Sequence, residues 1–208
     1  MGFLADVMME GVEWLYRVSG SYGLAIILFT VLLRLVLMPL SVSQTRSMQK
    51  QQELQPIIAE LQKKYKNDPK RLNEEMAALF RENRVNPLSS CLMLLIQIPF
   101  LIAFLQALER YAPLKEATFL WMSLGKPDPY ILPILAGATT YLQFKVSATG
   151  TDSSQKTMLY VFPVLIWWMA TRFAAALSLY WVVSNLWSIG ERFVLPKPQV
   201  KKGEAKRQ

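Results

Sequence analysis

The sequence predicts an all-α polytopic membrane protein, with five transmembrane helices, an N-terminal amphipathic interfacial helix and a cytoplasmic helical hairpin. Three observations predict it. Hydrophobic residues make up 52% of the 208 positions, including six Trp and ten Phe. They are bunched: Tyr22 to Leu40, Leu88 to Leu108, Tyr130 to Phe144, Thr157 to Ala170 and Ala174 to Ile189 carry almost no charge, whereas Gln44 to Arg84 carries fifteen charged side chains. The mean hydropathy of +0.22 averages these apolar blocks with the charged insert and a basic tail, so it agrees with a segmented membrane chain.

Residues 1–20 form the external amphipathic helix. Phe3, Leu4, Val7, Met8, Val12, Leu15 and Tyr16 recur at helical spacing beside Asp6, Glu10 and Glu13, with no basic leader before them. That pattern suits a helix lying on the interface and not a cleaved signal. Span 1 occupies 21–43. Its apolar run of 19 residues from Tyr22 to Leu40 measures about 28 Å, against a hydrocarbon core of about 30 Å. The cytoplasmic hairpin fills 44–86. One arm has Leu54, Ile57, Ile58, Leu61 and Tyr65 on a stripe, the other Leu72, Met76, Leu79 and Phe80. Between them Asp68 is placed to cap the second arm and Pro69 to occupy its first turn, while Pro56 is expected to kink or restart the first arm.

Span 2 covers 87–108, entered at Asn86-Pro87 and left at Glu109-Arg110, with Pro99 predicting a kink. An external loop follows at 109–129, then span 3 at 130–146 and a cytoplasmic loop at 147–156. Span 4 at 157–171 and span 5 at 174–191 are parted only by Thr171 to Phe173, so they must be antiparallel. Their apolar runs are short, which calls for ends reaching into the interface or for a thinned bilayer. Residues 192–208 are a basic cytoplasmic tail, of which Pro196 to Gln208 has no apolar periodicity, is expected to be disordered and suits ribosomal RNA or anionic headgroups. With the N-terminus outside and the C-terminus in the cytoplasm, 17 Lys and Arg fall inside and five outside, and that bias selects this orientation.

The chain has no His and a single Cys, Cys91, so a metal-ligand cluster, a disulfide framework and histidine-dependent covalent catalysis are all excluded, and no cofactor is expected. The residue that demands an account is Arg34, in the otherwise apolar run "LFTVLLRLVLMPL". Counted from Leu40 it sits about 9 Å deep. Its side chain could snorkel to the inner interface. Yet Gln97, Gln143, Ser184, Asn185 and Ser188 fall in the cytoplasmic halves of other spans at overlapping depth, and none of the five apolar runs contains Asp or Glu. A buried charge without a counter-charge is costly. The economical arrangement is a water-filled cavity in the inner leaflet, closed toward the outside, in which Arg34 awaits an acidic or strongly polar guest. The Gln and Asn side chains could equally be ordinary interhelical hydrogen-bond formers.

Five blocks, "SYGLAIILFTVLLRLVLMPLSVSQ", "LQPIIAELQKKYKNDPKRLNEEMAALFRENRVNP", "SSCLMLLIQIPFLIAFLQAL", "YVFPVLI" and "LSLYWVVSNLWSI", resemble the YidC-type membrane protein insertases over nearly the whole chain. The resemblance implies a five-span core whose hydrophilic groove opens to cytoplasm and lipid, with the family's groove arginine falling on Arg34. It also implies Gln143 and Trp187 as groove positions, beside Gln97 and Asn185, and Tyr180 with Trp181 as part of an apolar slide for substrate helices. The partners it implies are nascent membrane proteins and the lipid bilayer, with the ribosome, the signal recognition machinery or the Sec translocon as candidates, and a monomer as the working unit. Lacking the large periplasmic domain and lipoprotein signal of some relatives, the chain resembles the family's minimal core. One departure is "FAAAL" at Phe173 to Leu177, where the family has "FPAGL".

A small-solute transporter would be expected to carry polarity through to the outer side and often an internal repeat, and neither is present. A membrane-anchored scaffold using the hairpin for docking would leave Arg34 without a purpose.

Overall fold

The computed structural model describes residues 2–83, 89–147 and 153–194. In chain order the elements are α1 (Gly2–Ser19), α2 (Tyr22–Val36), α3 (Met38–Lys64), α4 (Pro69–Glu82), α5 (Ser89–Arg110), α6 (Ala112–Glu116), β1 (Thr118–Phe119), β2 (Met122–Ser123), α7 (Ile131–Ser147), α8 (Ser153–Ala170) and α9 (Ala175–Val194). The chain divides into two compact units. One takes residues up to 38 together with 96–194; the other contains the α3 and α4 helices.

In the second unit Leu54 and Ile58 are buried against Ile57, Met76, Leu79 and Phe80, so the two apolar stripes meet. Asp68 accepts a hydrogen bond from the Arg71 amide at 3.1 Å, and Pro69 opens α4. Proline suits that position because first-turn amides have no partner within the helix. α3 runs through Pro56 without a break.

The first unit is a bundle whose core joins α1, α2, α5, α7, α8 and α9. α1 buries Met8, Val12 and Leu15, the last two packing with Ala25 of α2, and leaves a second apolar stripe of Phe3, Val7, Trp14 and Val18 exposed. Its apolar residues therefore divide between a protein-facing and an outward face.

The region expected as one span at 21–43 is two helices parted at Leu37. Pro39 explains the break, because it has no amide to offer the Leu35 carbonyl and its ring crowds that group. No single described helix is long and apolar enough to cross a membrane alone. α2 reaches that standard only together with Met38–Thr45, as a bent pair, and Ile98–Leu108 and Leu159–Ala170 are shorter apolar helices. α7, at 17 residues, measures about 26 Å, short of a core of about 30 Å. α8 and α9, at 18 and 20 residues, are longer than the apolar runs that announced them, since polar residues extend each into its flank.

The segment expected as an external loop, 109–129, holds structure of its own: α6 and the antiparallel pair β1–β2, with Thr118 opposite Ser123 and Phe119 opposite Met122. This loop ties the helix ends together. The Phe119 ring lies where a Cβ on Gly23 of α2 would be. The amides of Ala175 and Ala176, the first two of α9, donate to the carbonyls of Lys126 (2.8 Å) and Leu124 (3.0 Å). The "FAAAL" turn therefore needs neither Pro nor Gly nor a side-chain cap, because the loop backbone accepts the donors that a helix start leaves over.

Gly125 lies between those two carbonyls, and a Cβ there would run into the Lys115 main-chain carbonyl, which cannot swing aside as a side chain can. Gly125→Ala is expected to lower stability by about 2 to 4 kcal/mol, through overpacking and loss of the α9 cap. Thermal unfolding of the purified protein in detergent measures this; an unchanged midpoint would mean that the loop does not hold the α9 start.

Candidate functional site

The ends of four helices meet on one side of the bundle. The Tyr22 and Tyr111 hydroxyls, at the start of α2 and just past α5, lie 3.3 Å apart. Asp128 accepts from the amides of Tyr130 (3.0 Å) and Leu132 (3.1 Å) at the start of α7, and the same loop holds α9. This shared end is a common origin for depth. At 1.5 Å per residue, Arg34, Gln143 and Trp187 each lie about 18 Å in, Asn185 about 15 Å and the Gln97 position about 20 Å. The Gln97 side chain lies outside the described residues.

The buried core stops at one level in three helices. On α2 the last buried residue is Thr30, which donates to the Ile26 carbonyl at 2.6 Å. On α7 the last are Thr139 and Thr140, and on α9 Ser184 and Asn185. Asn185 Nδ2 donates to Thr139 Oγ1 at 3.1 Å and to Thr140 Oγ1 at 2.8 Å, joining α7 to α9. Beyond this polar layer Arg34, Gln143, Trp187 and Ser188 are half-buried. Four helical steps beyond Thr30, Arg34 continues the inward face of Gly23, Ile26 and Thr30.

Arg34 makes no ion pair among the described residues; the two pairs there, Arg17–Glu13 and Arg110–Asp6, lie toward the opposite end. Its guanidinium offers up to five N–H donors. Two further groups on α9, Ser184 Oγ and Trp187 Nε1, are buried without a hydrogen-bond partner. The layer and the level just beyond it thus carry a cation and unused polar atoms, which can hold an anionic or strongly polar group. No cluster of His, Cys, Asp or Glu able to hold a metal occurs among the described residues.

Two positions expected on an apolar slide lie differently. Tyr180 is buried, its ring 4.5 Å from Phe100 and 5.9 Å from Phe104 by centroid, so it joins α9 to α5. Trp181 is half-buried and lines a small hollow with Ala136, Ile166 and Leu177. Asn185 donates both amide hydrogens to threonines of α7, an interhelical bond, and forms the polar floor at which the buried core of α9 ends. Thr30, Thr139 and Thr140 are members of this layer that the structure adds. The signal was there for Thr30, the other polar residue of "LFTVLLRLVLMPL", spaced one turn from Arg34.

A family model described as "60Kd inner membrane protein" matches residues 14–202. The chain belongs to that family. YidC proteins are its relatives: the membrane protein insertase YidC of Enterococcus faecalis is 49% identical over 189 residues, covering 86% of this chain and 68% of that one. The membrane protein insertase MisCA of Bacillus subtilis is 41% identical over 204 residues, covering 94% and 78%. Among solved structures, a crystal structure of an active YidC insertase superimposes with a TM-score of 0.76 at 28% identity, over 92% of this chain. This chain spans 46% of the crystallised one, just under half its length. The family model is thus described as an inner membrane protein, and these relatives are named membrane protein insertases.

Proposed function

We propose that the chain is a membrane protein insertase that receives nascent membrane segments from the cytoplasm in a hydrophilic groove containing Arg34 and releases them into the bilayer. The observation that carries this reading is the level at which the buried core ends. Beyond Thr30, Thr140 and Asn185 the inward faces of three helices become half-exposed, and Arg34 stands there without a carboxylate partner among the described residues. Gln143 and Trp187, half-buried at the same helical depth, support the reading.

In this reading the polar or acidic tail of a substrate is held by Arg34, while its apolar helix leaves along the α7 and α9 side past Trp181. A polar group buried without a partner costs about 2 to 7 kcal/mol, and a wet path of half the membrane thickness reduces that cost for every polar group in the tail. The five spans, the external N-terminus, the cytoplasmic C-terminus and action as a monomer belong to the same proposal. So does recruitment by the ribosome, the signal recognition machinery or the Sec translocon, for which the α3–α4 hairpin and the basic tail are the available surfaces.

The test uses cysteines in a Cys91→Ser background, in proteoliposomes that insert a single-span protein with an acidic tail. Cysteines at 34 and 143 should react with a membrane-impermeant maleimide from the cytoplasmic side, and cysteines at 28 and 104 should not. Uniform protection at all four positions would mean a dry bundle and would remove the groove. Failure of the wild-type chain to insert above protein-free liposomes would remove the function.

A further inference from the structure

The tip of the β1–β2 hairpin is built against the usual chemistry of tight turns. Two-residue hairpin loops favour Asn-Gly, Asp-Gly or a leading Gly, because at least one loop position requires a positive φ. Here Leu120 takes that position with φ of 54° and is 73% exposed, and Trp121 beside it is 54% exposed. A large aliphatic residue in the left-handed region is uncommon and strained. It is not there to relieve the turn, and it packs into no core.

Trp121 is held in place nonetheless. Its indole Nε1 donates to Asp128 Oδ2 at 2.9 Å, and the other oxygen of that buried carboxylate caps the first turn of α7. The indole therefore sits at the level where the outward apolar face of α7 begins, with Tyr130, Ile131, Ile134 and Leu135 all exposed. Trp and Tyr collect at that level on membrane helices. A tryptophan entering lipid must find a partner for its N–H, and Asp128 supplies one inside the protein, so the ring face needs no water.

We propose that Leu120 and Trp121, with Tyr130, insert into the outer leaflet and anchor the start of α7 at a set depth in the lipid. The anchor reaches further through backbone bonds. The loop that carries it accepts the first amides of α9 at Lys126 and Leu124, so one lipid contact sets the depth of both helices that share the Asn185 floor. For an α7 of only 17 residues, about 4 Å short of the hydrocarbon thickness, a fixed outer end directs the whole shortfall to the cytoplasmic side, where the Arg34 level lies. This inference rests on the reading of α7 as a membrane span.

The experiment places a fluorescent label on Leu120→Cys in the full chain, with Cys91→Ser, reconstituted in phosphatidylethanolamine and phosphatidylglycerol vesicles. Quenching is read with iodide in the water and with nitroxides at shallow and mid-chain positions of the lipid, and a label on Ile134→Cys is the reference. The expected result is strong quenching at 120 by the shallow nitroxide with loss of iodide quenching, and quenching at 134 by the deeper nitroxide. Iodide quenching at 120 with lipid quenching kept at 134 would overturn the anchor and leave the span reading standing. Absence of lipid quenching at both positions would overturn both. Shielding of 120 from iodide and nitroxides alike would mean a protein contact, such as a second copy, and would also overturn the anchor.

Discussion

Arg34→Ala and Arg34→Glu are expected to abolish insertion of substrates with acidic translocated tails, whereas Arg34→Lys retains part of it. The reason is electrostatic. Arg34 ends the inward face of α2, just beyond the polar layer, and has no ion-pair partner among the described residues. A guest carboxylate at 4 Å in a medium of effective dielectric 20 gains about 4 kcal/mol from that charge, which sets a loss of roughly a hundredfold to a thousandfold in rate when the charge is removed. Lysine keeps the charge and loses the planar fork, so a partial activity separates charge from geometry. Insertion into proteoliposomes, scored by protease protection of the tail, measures it. Equal insertion by wild type and Arg34→Ala would end the groove-charge mechanism, and a defect confined to neutral-tailed substrates would contradict its sign.

Asn185→Leu is expected to cost about 2 to 4 kcal/mol of stability, since two buried hydrogen bonds are lost and the threonine oxygens on α7 keep no donor from α9. Asn185 is 4% exposed and is bonded to Thr139 and Thr140, so neither water nor a rotamer change can replace it. The same leucine combined with Thr139→Val and Thr140→Val should recover much of the loss, because removing both sides of a buried polar contact is nearly neutral. That recovery distinguishes an unsatisfied-polar effect from a steric one. Thermal unfolding in detergent reads both variants, and a single Asn185→Leu with an unchanged midpoint would show that the floor does not hold α7 to α9. In the triple variant the floor is apolar but closed, so a cysteine on the outer side of Thr30, such as one at 28, should stay unreactive to maleimide from the cytoplasmic side.

Part of this molecule is legible residue by residue. Asp68 and Pro69 announce the start of α4, because capping is a local transaction between one side chain and the amides of the next turn. Arg34, Gln143 and Asn185 could be set at overlapping depth because helical rise is constant, whereas Trp187 came from the family resemblance alone. Pro39 carried the signal for the break at Leu37, although an unbroken run of apolar residues concealed it. The β1–β2 hairpin carried almost none: its strands are two residues each, and its turn lacks the Asn or Gly that would mark it.

What the sequence determined by itself is the mostly helical class, the capped start of α4, the charge of Arg34 within an apolar run, and the resemblance that the family match bears out. These follow from composition and from periodicities that act within a few residues. The tertiary structure alone decided that Thr30, Thr139, Thr140 and Asn185 close the core at one level, that Tyr180 belongs to an aromatic stack, and that a loop carbonyl takes the place of the missing Pro and Gly before α9. Each of these pairs groups 40 or more residues apart in sequence, or depends on which faces of two helices meet. Hydrophobic periodicity says which side of a helix is buried, but it is silent on the partner that buries it.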